Sequence, residues 1–248
     1  MEWYQYILIV GAGVAAGFIN TLAGSGSLLT LPLLMFIGLP PNVANGTNRI
    51  SVLLQSLVSS ASFKKLGQLN MTTGVKLGIP AVAGSVAGAI LALKMTNGTM
   101  EKAIGVLLIF MFFLVLFKPE VWLKGKSEHK ALPAWINHIL FFIIGFYGGF
   151  IQAGVGFFLL GGLVLGKGLD LVKANAIKNL LVFLFTPFAL IVFILGHQVN
   201  FQAGLILSVG STFGAWIAAR TAVSWGPSFV RYVLLVAIFG SAVYLILG

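Results

Sequence analysis

The side chains best suited to chemistry are amides and cations near the start of two long apolar segments. In the first segment, Asn45, Asn48 and Arg49 lie at positions i, i+3 and i+4, so a helix places them on one face. The second segment repeats this spacing in Asn175, Lys178 and Asn179. Each segment therefore offers one cation beside two amides. Charge-assisted donors and neutral amides can hold and orient an oxyanion, so we predict an anion site.

A short glycine-containing turn precedes each of these segments. The turns are Ala23-Gly24-Ser25-Gly26 and Ala153-Gly154-Val155-Gly156. Such glycines free backbone N–H groups, and the short helix that follows points the positive end of its dipole at the break. The predicted helix-break glycines are Gly24, Gly26, Gly154 and Gly156. The predicted substrate-binding residues are Asn20, Ser25, Asn45, Asn48, Arg49, Gln152, Asn175, Lys178 and Asn179. For Asn20 and Gln152, the alternative is that they only cap helix ends.

The turns and the polar clusters belong to one internal repeat. The shift in residue number from Gly24 to Gly154 relates all the matched positions without a gap, and we call it the repeat offset. The same offset relates Gln68 to Gln198. The apolar runs 28–37 and 157–165 occupy equivalent places in the two halves. At 1.5 Å per residue each covers roughly 15 Å, about half of the hydrocarbon thickness. Short segments at matching places in two halves indicate the binding site of a transporter.

The composition predicts a membrane protein. Hydrophobic residues make up 59 % of the chain and charged residues 8 %, against about 25 % charged in soluble domains. The net charge of +10 does not indicate nucleic acid, because the basic residues stand singly at the ends of apolar runs. The absence of cysteine excludes disulfides and thiolate metal sites. No metal or cofactor is predicted, and the expected partners are a lipid bilayer and a small anion.

Eight apolar runs approach the roughly 20 residues needed to cross a bilayer; they are 4–22, 45–62, 74–93, 103–117, 135–151, 175–195, 201–219 and 229–247. If each short run also reverses the chain, each half has five segments and the second half is inverted. Lys and Arg residues near the span ends then share one face, with only Lys94 and Lys102 opposite. Positive residues are retained on the cytoplasmic side, which places both termini outside.

The predicted fold is therefore an all-α polytopic bundle of two inverted five-segment repeats. It has about ten transmembrane segments, two of them short or broken, in one integral membrane domain. The repeats are 1–118 and 134–248, and 119–133 is a cytoplasmic linker. We expect it in the cell membrane, as a multi-pass protein of a prokaryotic inner membrane. Glycine pairs such as Gly145 and Gly149 favour close helix packing, within one protomer or in a homodimer.

Two further alternatives concern the polar residues. Arg49 and Lys178 lie near helix starts, so both could snorkel to the headgroups instead of binding a solute. The five acidic residues lie outside the span interiors. A proton relay through buried carboxylates is therefore unsupported, and an interior-negative potential alone favours anion exit by about 2.3 kcal/mol per charge per 100 mV.

The first motif resembles the TauE/SafE family of sulfite exporters. The similar residues run from Gly17 through the first glycine turn to Pro32, continue at 38–41, and end with 44–49. The second turn and the Asn175/Lys178 segment extend the resemblance over the whole chain. It implies export or uptake of sulfite, sulfonates or related sulfur oxyanions, with sulfoacetate a close competitor. One departure is Ser25, where family members often have a third glycine.

Three function classes compete at this point. The favoured one is an exporter of sulfite or small organosulfonates that works by alternating access, and not an enzyme. A transporter or channel for another small anion or metabolite is the second, although a cation route would normally show Asp or Glu in the spans. An intramembrane serine hydrolase is the third, because Gly24-Ser25-Gly26 resembles a nucleophile turn. That chemistry needs a histidine near Ser25, and the span interiors carry none.

Overall fold

The computed structural model describes the backbone of residues 3–117 and 132–247 and the side chains of 5–110 and 132–224. All regular secondary structure in these ranges is helical. The helices are α1 Trp3–Ala23, α2 Ser27–Phe36, α3 Pro41–Lys65, α4 Met71–Leu93, α5 Asn97–Phe117, α6 Ala134–Phe150, α7 Val155–Lys167, α8 Leu171–Leu195 and α9 Phe201–Leu247. The predicted linker 119–133 lies outside the described residues except for its last two positions.

Within the described residues, four helices are long and apolar enough to cross a membrane, as expected for a multi-pass membrane protein. They cover Gln5–Ala23, Met71–Leu93, Leu171–Leu195 and Phe201–Ser224. Helices α2, α6 and α7 are shorter apolar helices. The 25-residue α3 is long enough but is not among the apolar spans, because it buries Asn, Arg, Gln and Ser side chains.

The last two predicted spans, 201–219 and 229–247, are wrong as separate elements. The backbone forms one continuous helix of 47 residues, Phe201–Leu247. In the first half, by contrast, helix α4 ends at Leu93 and a new helix, α5, begins at Asn97. At the start of α5 the Thr96 hydroxyl accepts a hydrogen bond from the Thr99 N–H at 3.2 Å. The repeat offset takes Thr96 to Gly226, which has no side chain to cap a new helix.

Helices α1 and α9 run parallel through a glycine seam. Gly13 lies against the Leu207 carbonyl and Gly17 lies against Ser211, so contacts advance together along both helices. Helices α4 and α6 form a second seam of this kind. Gly145 lies against Ala81 and Gly149 lies against Ser85, again in the same direction. Without a Cβ, each glycine lets the backbones touch directly.

The long helices α3 and α8 lie between these pairs and run in opposite directions. The start of α3 meets the end of α8, where Gly46 lies against the Gln198 carbonyl that follows the helix. Helix α3 runs parallel to α9, since Asn200 N–H donates to Thr47 Oγ1 at 2.9 Å and Ser51 Oγ donates to Ser211 Oγ at 2.7 Å.

Helix α8 runs parallel to α4. Gly74 contacts Leu180 and Gly78 contacts Leu184. The short helix α2 turns back along α1, because Gly26 lies against the Ala16 carbonyl. Farther along α2, Leu34 shares a cluster with Ile9 of α1.

Substitution of Gly149 by alanine tests the α4–α6 seam. The new Cβ would overlap with the Ser85 backbone, and overpacking of this kind costs about 1–3 kcal/mol. At Gly105 on α5 an added Cβ meets nothing within 4 Å, so Gly105→Ala is the matched control. We expect Gly149→Ala to lower the thermal unfolding midpoint in detergent while Gly105→Ala does not. Equal midpoints would contradict this packing.

Candidate substrate site at two crossing helix breaks

The two predicted glycine turns touch each other inside the molecule. Gly24 and Gly154 have φ of 76° and 72°, the left-handed region that favours glycine, so they make the turns. The Gly156 N–H donates to the Gly24 carbonyl at 3.2 Å. A Cβ on Gly24 or on Gly156 would overlap with the other glycine. Two breaks that lie in different halves of the chain therefore form one crossing.

Arg49 is fully buried at 0 % exposure and is bound to the end of α6. Its Nη1 donates to the Gly148 carbonyl at 3.0 Å and its Nη2 donates to the Gly149 carbonyl at 2.6 Å. Asn45 Nδ2 donates to the next carbonyl, that of Phe150, at 2.8 Å. The last carbonyls of a helix lack partners within the helix and carry its negative dipole end. Residues of α3 thus cap α6.

Lys178 does the same for the end of α1. It is 1 % exposed, and its Nζ donates to the carbonyls of Asn20 at 2.8 Å and Thr21 at 2.6 Å. Asn179 Nδ2 adds a bond to the Thr21 carbonyl at 3.1 Å. Each cation therefore holds the broken first helix of the opposite half. Both charged groups are buried inside the protein. The snorkelling alternative would instead place them at the lipid headgroups.

The charge of each cation is compensated by helix ends. Neither Arg49 nor Lys178 forms an ion pair with a carboxylate in the described part of the chain, where Lys173 pairs with Asp170. The Arg49 guanidinium also lies over the Phe193 ring, 4.5 Å from its centroid, in a cation–π contact. Phe193 was not predicted from the sequence, because it lies on α8, far from Arg49 along the chain.

The cation and one amide exchange places between the two halves. At the repeat offset, Asn48 matches Lys178 and Arg49 matches Asn179, while Asn45 matches Asn175. The consequence is an asymmetric site. Asn45 donates to the Phe150 carbonyl at the end of α6. The matching acceptor for Asn175 would be the Asn20 carbonyl, but Lys178 already donates to it. Both polar atoms of the Asn175 side chain, which is fully buried, have no hydrogen-bond partner within the described residues.

Asn48 acts on a different element from the other predicted residues. Its Oδ1 accepts a hydrogen bond from Thr30 Oγ1 at 2.7 Å, and its Nδ2 donates to Ser27 Oγ at 2.9 Å. Both partners are on α2. Asn48 therefore fixes the short helix, and both polar atoms of its amide are already engaged in this conformation.

Several buried polar atoms around the breaks lack partners in the described part of the chain. They are Thr21 Oγ1, Ser25 Oγ, Arg49 Nε, Gln152 Oε1, and Asn175 Nδ2 and Oδ1. An unsatisfied buried group costs about 1–3 kcal/mol, so such a group in a native structure indicates a water or a ligand. Because the Ser25 hydroxyl has no partner among these residues, no general base contacts it there.

The two short helices start without a capping side chain. Gly26 precedes α2 and Gly154 precedes α7, and neither helix has a side-chain hydrogen bond at its N-cap. The N–H groups of Leu28 and Leu29 in α2, and of Gly156 and Phe157 in α7, already donate to backbone carbonyls at the turns. What the two helices offer an anion is therefore the positive end of each helix dipole.

The neighbours of the predicted residues include some that no sequence pattern singled out. Gln152 Nε2 donates to Thr186 Oγ1 at 3.0 Å, and the Tyr147 hydroxyl donates to the Ala153 carbonyl. Asn20 contributes its carbonyl, with its side chain half-buried against Gly26. Thr21 directly follows Asn20 in the chain, and this adjacency is the one signal that could have identified it.

Removal of either buried cation should weaken the fold. Arg49→Ala and Lys178→Ala each leave helix-end carbonyls without donors, at about 1–3 kcal/mol per lost partner. Lys76 is exposed on α4, so Lys76→Ala is the control. We expect both core variants, and not the control, to lower the thermal unfolding midpoint in detergent. Control-like midpoints for Arg49→Ala and Lys178→Ala would contradict the capping role.

Comparison with known proteins supplies the family. A model of the sulfite exporter TauE/SafE family matches residues 9–245. A probable membrane transporter protein ORF9 of Sinorhizobium sp. is 28 % identical, over 95 % of this chain and 90 % of its own. A probable membrane transporter protein of Haemophilus influenzae is 27 % identical, over 92 % and 89 %. The probable membrane transporter protein YfcA of Escherichia coli K12 is 29 % identical, over 89 % and 82 %. No solved structure matches. The chain belongs to the TauE/SafE family of membrane transporters.

Proposed function

We propose that this transporter exports sulfite or a small organosulfonate through the crossing of the two helix breaks. The observation that carries the proposal is the group of unpartnered, buried polar atoms at this crossing, together with two buried cations. The name of the matching family, sulfite exporter, agrees in substrate class. The named relatives carry only the description of probable membrane transporters.

The charge at the crossing suits an oxyanion. A helix terminus carries about half an elementary charge, so the two C-termini that hold Arg49 and Lys178 offset about one of their two positive charges. The N-termini of α2 and α7 add about one positive charge. The resulting excess of about +2 fits a doubly charged oxyanion. The candidate donors to it are the Asn175 amide, the Ser25 hydroxyl and Arg49 Nε, which have no partner among the described residues.

We further propose that the two halves are inverted repeats. Helices α1, α3 and α9 share one direction, whereas α4, α6 and α8 run the opposite way. Every one of these helices therefore opposes its equivalent at the repeat offset: α1 with α6, α3 with α8, and α4 with α9. Inverted repeats around a site at mid-bilayer fit alternating access, in which the two halves exchange conformations.

The proposed topology places the N-terminus outside and the linker in the cytoplasm. It does not extend to the predicted outside position of the C-terminus, because the continuous helix α9 runs parallel to α1 and does not turn back. The topology rests on the positive residues: Lys64 and Lys65 end α3, while the equivalent loop around His197 has no Lys or Arg.

A cysteine-labelling experiment tests this topology. Lys65 and Leu195 are exposed residues at matched positions, and the chain has no natural cysteine. We expect a membrane-impermeant maleimide to label Lys65→Cys in inside-out vesicles and Leu195→Cys in right-side-out vesicles. Labelling of both positions from one side would contradict the inverted arrangement.

Asn175 provides the sharpest test of the substrate site. Asn175→Ala removes no side-chain hydrogen bond seen among the described residues, so the thermal midpoint should stay unchanged or rise. Transport should nevertheless fall about tenfold or more, because a hydrogen bond to a charged group contributes about 1.5–3 kcal/mol. The matched control is Asn45→Ala, which loses the bond to Phe150 and should be less stable.

The assay for this variant pair is counterflow in proteoliposomes with labelled sulfite, sulfoacetate, thiosulfate and chloride. Uptake of sulfite or sulfoacetate that depends on Asn175 supports the proposal. Counterflow of chloride alone would favour a transporter of another small anion, and normal sulfite transport by Asn175→Ala would remove Asn175 from the site.

A further inference from the structure

Helix α3 has a polar face that extends well beyond the crossing. After Arg49, this buried face continues with Gln55, Ser56, Ser59 and Ser60, at 3 %, 1 %, 0 % and 5 % exposure. The spacing of these residues matches one side of a helix. The face leads from the helix breaks to Lys64 and Lys65 at the end of α3.

The second half lacks this face. The equivalent positions at the repeat offset are Phe185, Thr186, Ala189 and Leu190, so three of the four polar side chains are replaced by apolar ones. Packing between the helices therefore does not require polar residues here, because the equivalent part of α8 is buried without them. The difference also explains why α8 is one of the apolar spans and α3 is not.

The polar groups on this face are incompletely satisfied. Ser56 and Ser59 donate to carbonyls of their own helix, those of Leu53 at 2.9 Å and Ser56 at 3.2 Å, which leaves oxygen lone pairs free. Ser60 Oγ is buried without a partner in the described part of the chain. The Gln55 amide lies on the same face and is almost fully buried. Polar atoms left open in an apolar interior indicate water or a polar solute.

The opposite end of α3 lies directly against the loop that follows α8. Gly46 allows the Gln198 carbonyl to lie directly on the helix, and Thr47 Oγ1 accepts from the Asn200 N–H. The residue that matches Gly46 in the second half is the buried Ala176. Alanine places a methyl group at the position where the first half has none.

We propose that the Gln55–Ser60 face of α3 lines the route between the central site and the Lys64–Lys65 side, and that the solute moves along it as a partly hydrated oxyanion. This inference rests on the proposed function. The hydroxyls and the amide replace hydration water along the route, and the two exposed lysines at its mouth attract anions. The face is buried in the present conformation, so the route opens when α3 separates from the helices that cover it.

Cysteine substitution tests the route. Ser59→Cys and Ser60→Cys are nearly isosteric, and Ala189→Cys and Leu190→Cys occupy the matched positions on α8. The probe is the anionic thiol reagent 2-sulfonatoethyl methanethiosulfonate, with modification read by intact mass. It is applied to inside-out vesicles for the α3 pair and to right-side-out vesicles for the α8 pair, because the matched positions lie toward opposite faces in the proposed topology. We expect modification of the α3 cysteines, slowed by substrate, with loss of transport, and no modification of the α8 pair. Unmodified α3 cysteines, or equal modification of both pairs, would overturn the route.

The double variant Ser59→Ala/Ser60→Ala provides a second measurement. Alanine preserves the small volume at both positions, so a packing role predicts normal transport, whereas the route predicts slower transport with unchanged thermal stability. Normal transport by this variant would count against the route. If the α3 cysteines are modified but none of the sulfur anions is transported, the route stands and the proposed substrate fails.

Discussion

The structure depends on a buried cation from each half that holds the broken helix of the other half. A helix that ends inside an apolar interior exposes carbonyl groups that water cannot reach, and each costs free energy unless a donor meets it. Arg49 and Asn45 meet this need for α6, and Lys178 and Asn179 meet it for α1. The helix ends in turn provide the negative potential that makes buried charges tolerable without carboxylates.

This reciprocal capping explains why the two glycine turns can lie in contact. The left-handed Gly24 reverses the chain, and its close approach to Gly156 leaves no room for a Cβ on either residue. The short helices α2 and α7 then start at the crossing without a side-chain cap. Positive and negative helix ends therefore meet in one small region. A solute bound there would lie among groups whose positions are fixed by the packing of all the long helices.

Much of the fold could be predicted from the sequence, because hydropathy and the constant repeat offset specify helices and their equivalence. The breaks at Gly24 and Gly154 followed from glycine, which is suited to a left-handed turn. The single helix 201–247 could not be predicted, because two apolar runs joined end to end look like two spans. The carbonyl partners of Arg49 and Lys178 were also missed, because backbone acceptors far along the chain leave no side-chain pattern.

A structure determined with bound sulfite tests the central claim most directly. We expect anion density at the contact of Gly24 with Gly156, within hydrogen-bond distance of the Asn175 side chain, while Arg49 and Lys178 stay on the helix-end carbonyls. Density at a site remote from this crossing would contradict the claim. So would an anion at the crossing that had pulled either cation away from its helix end.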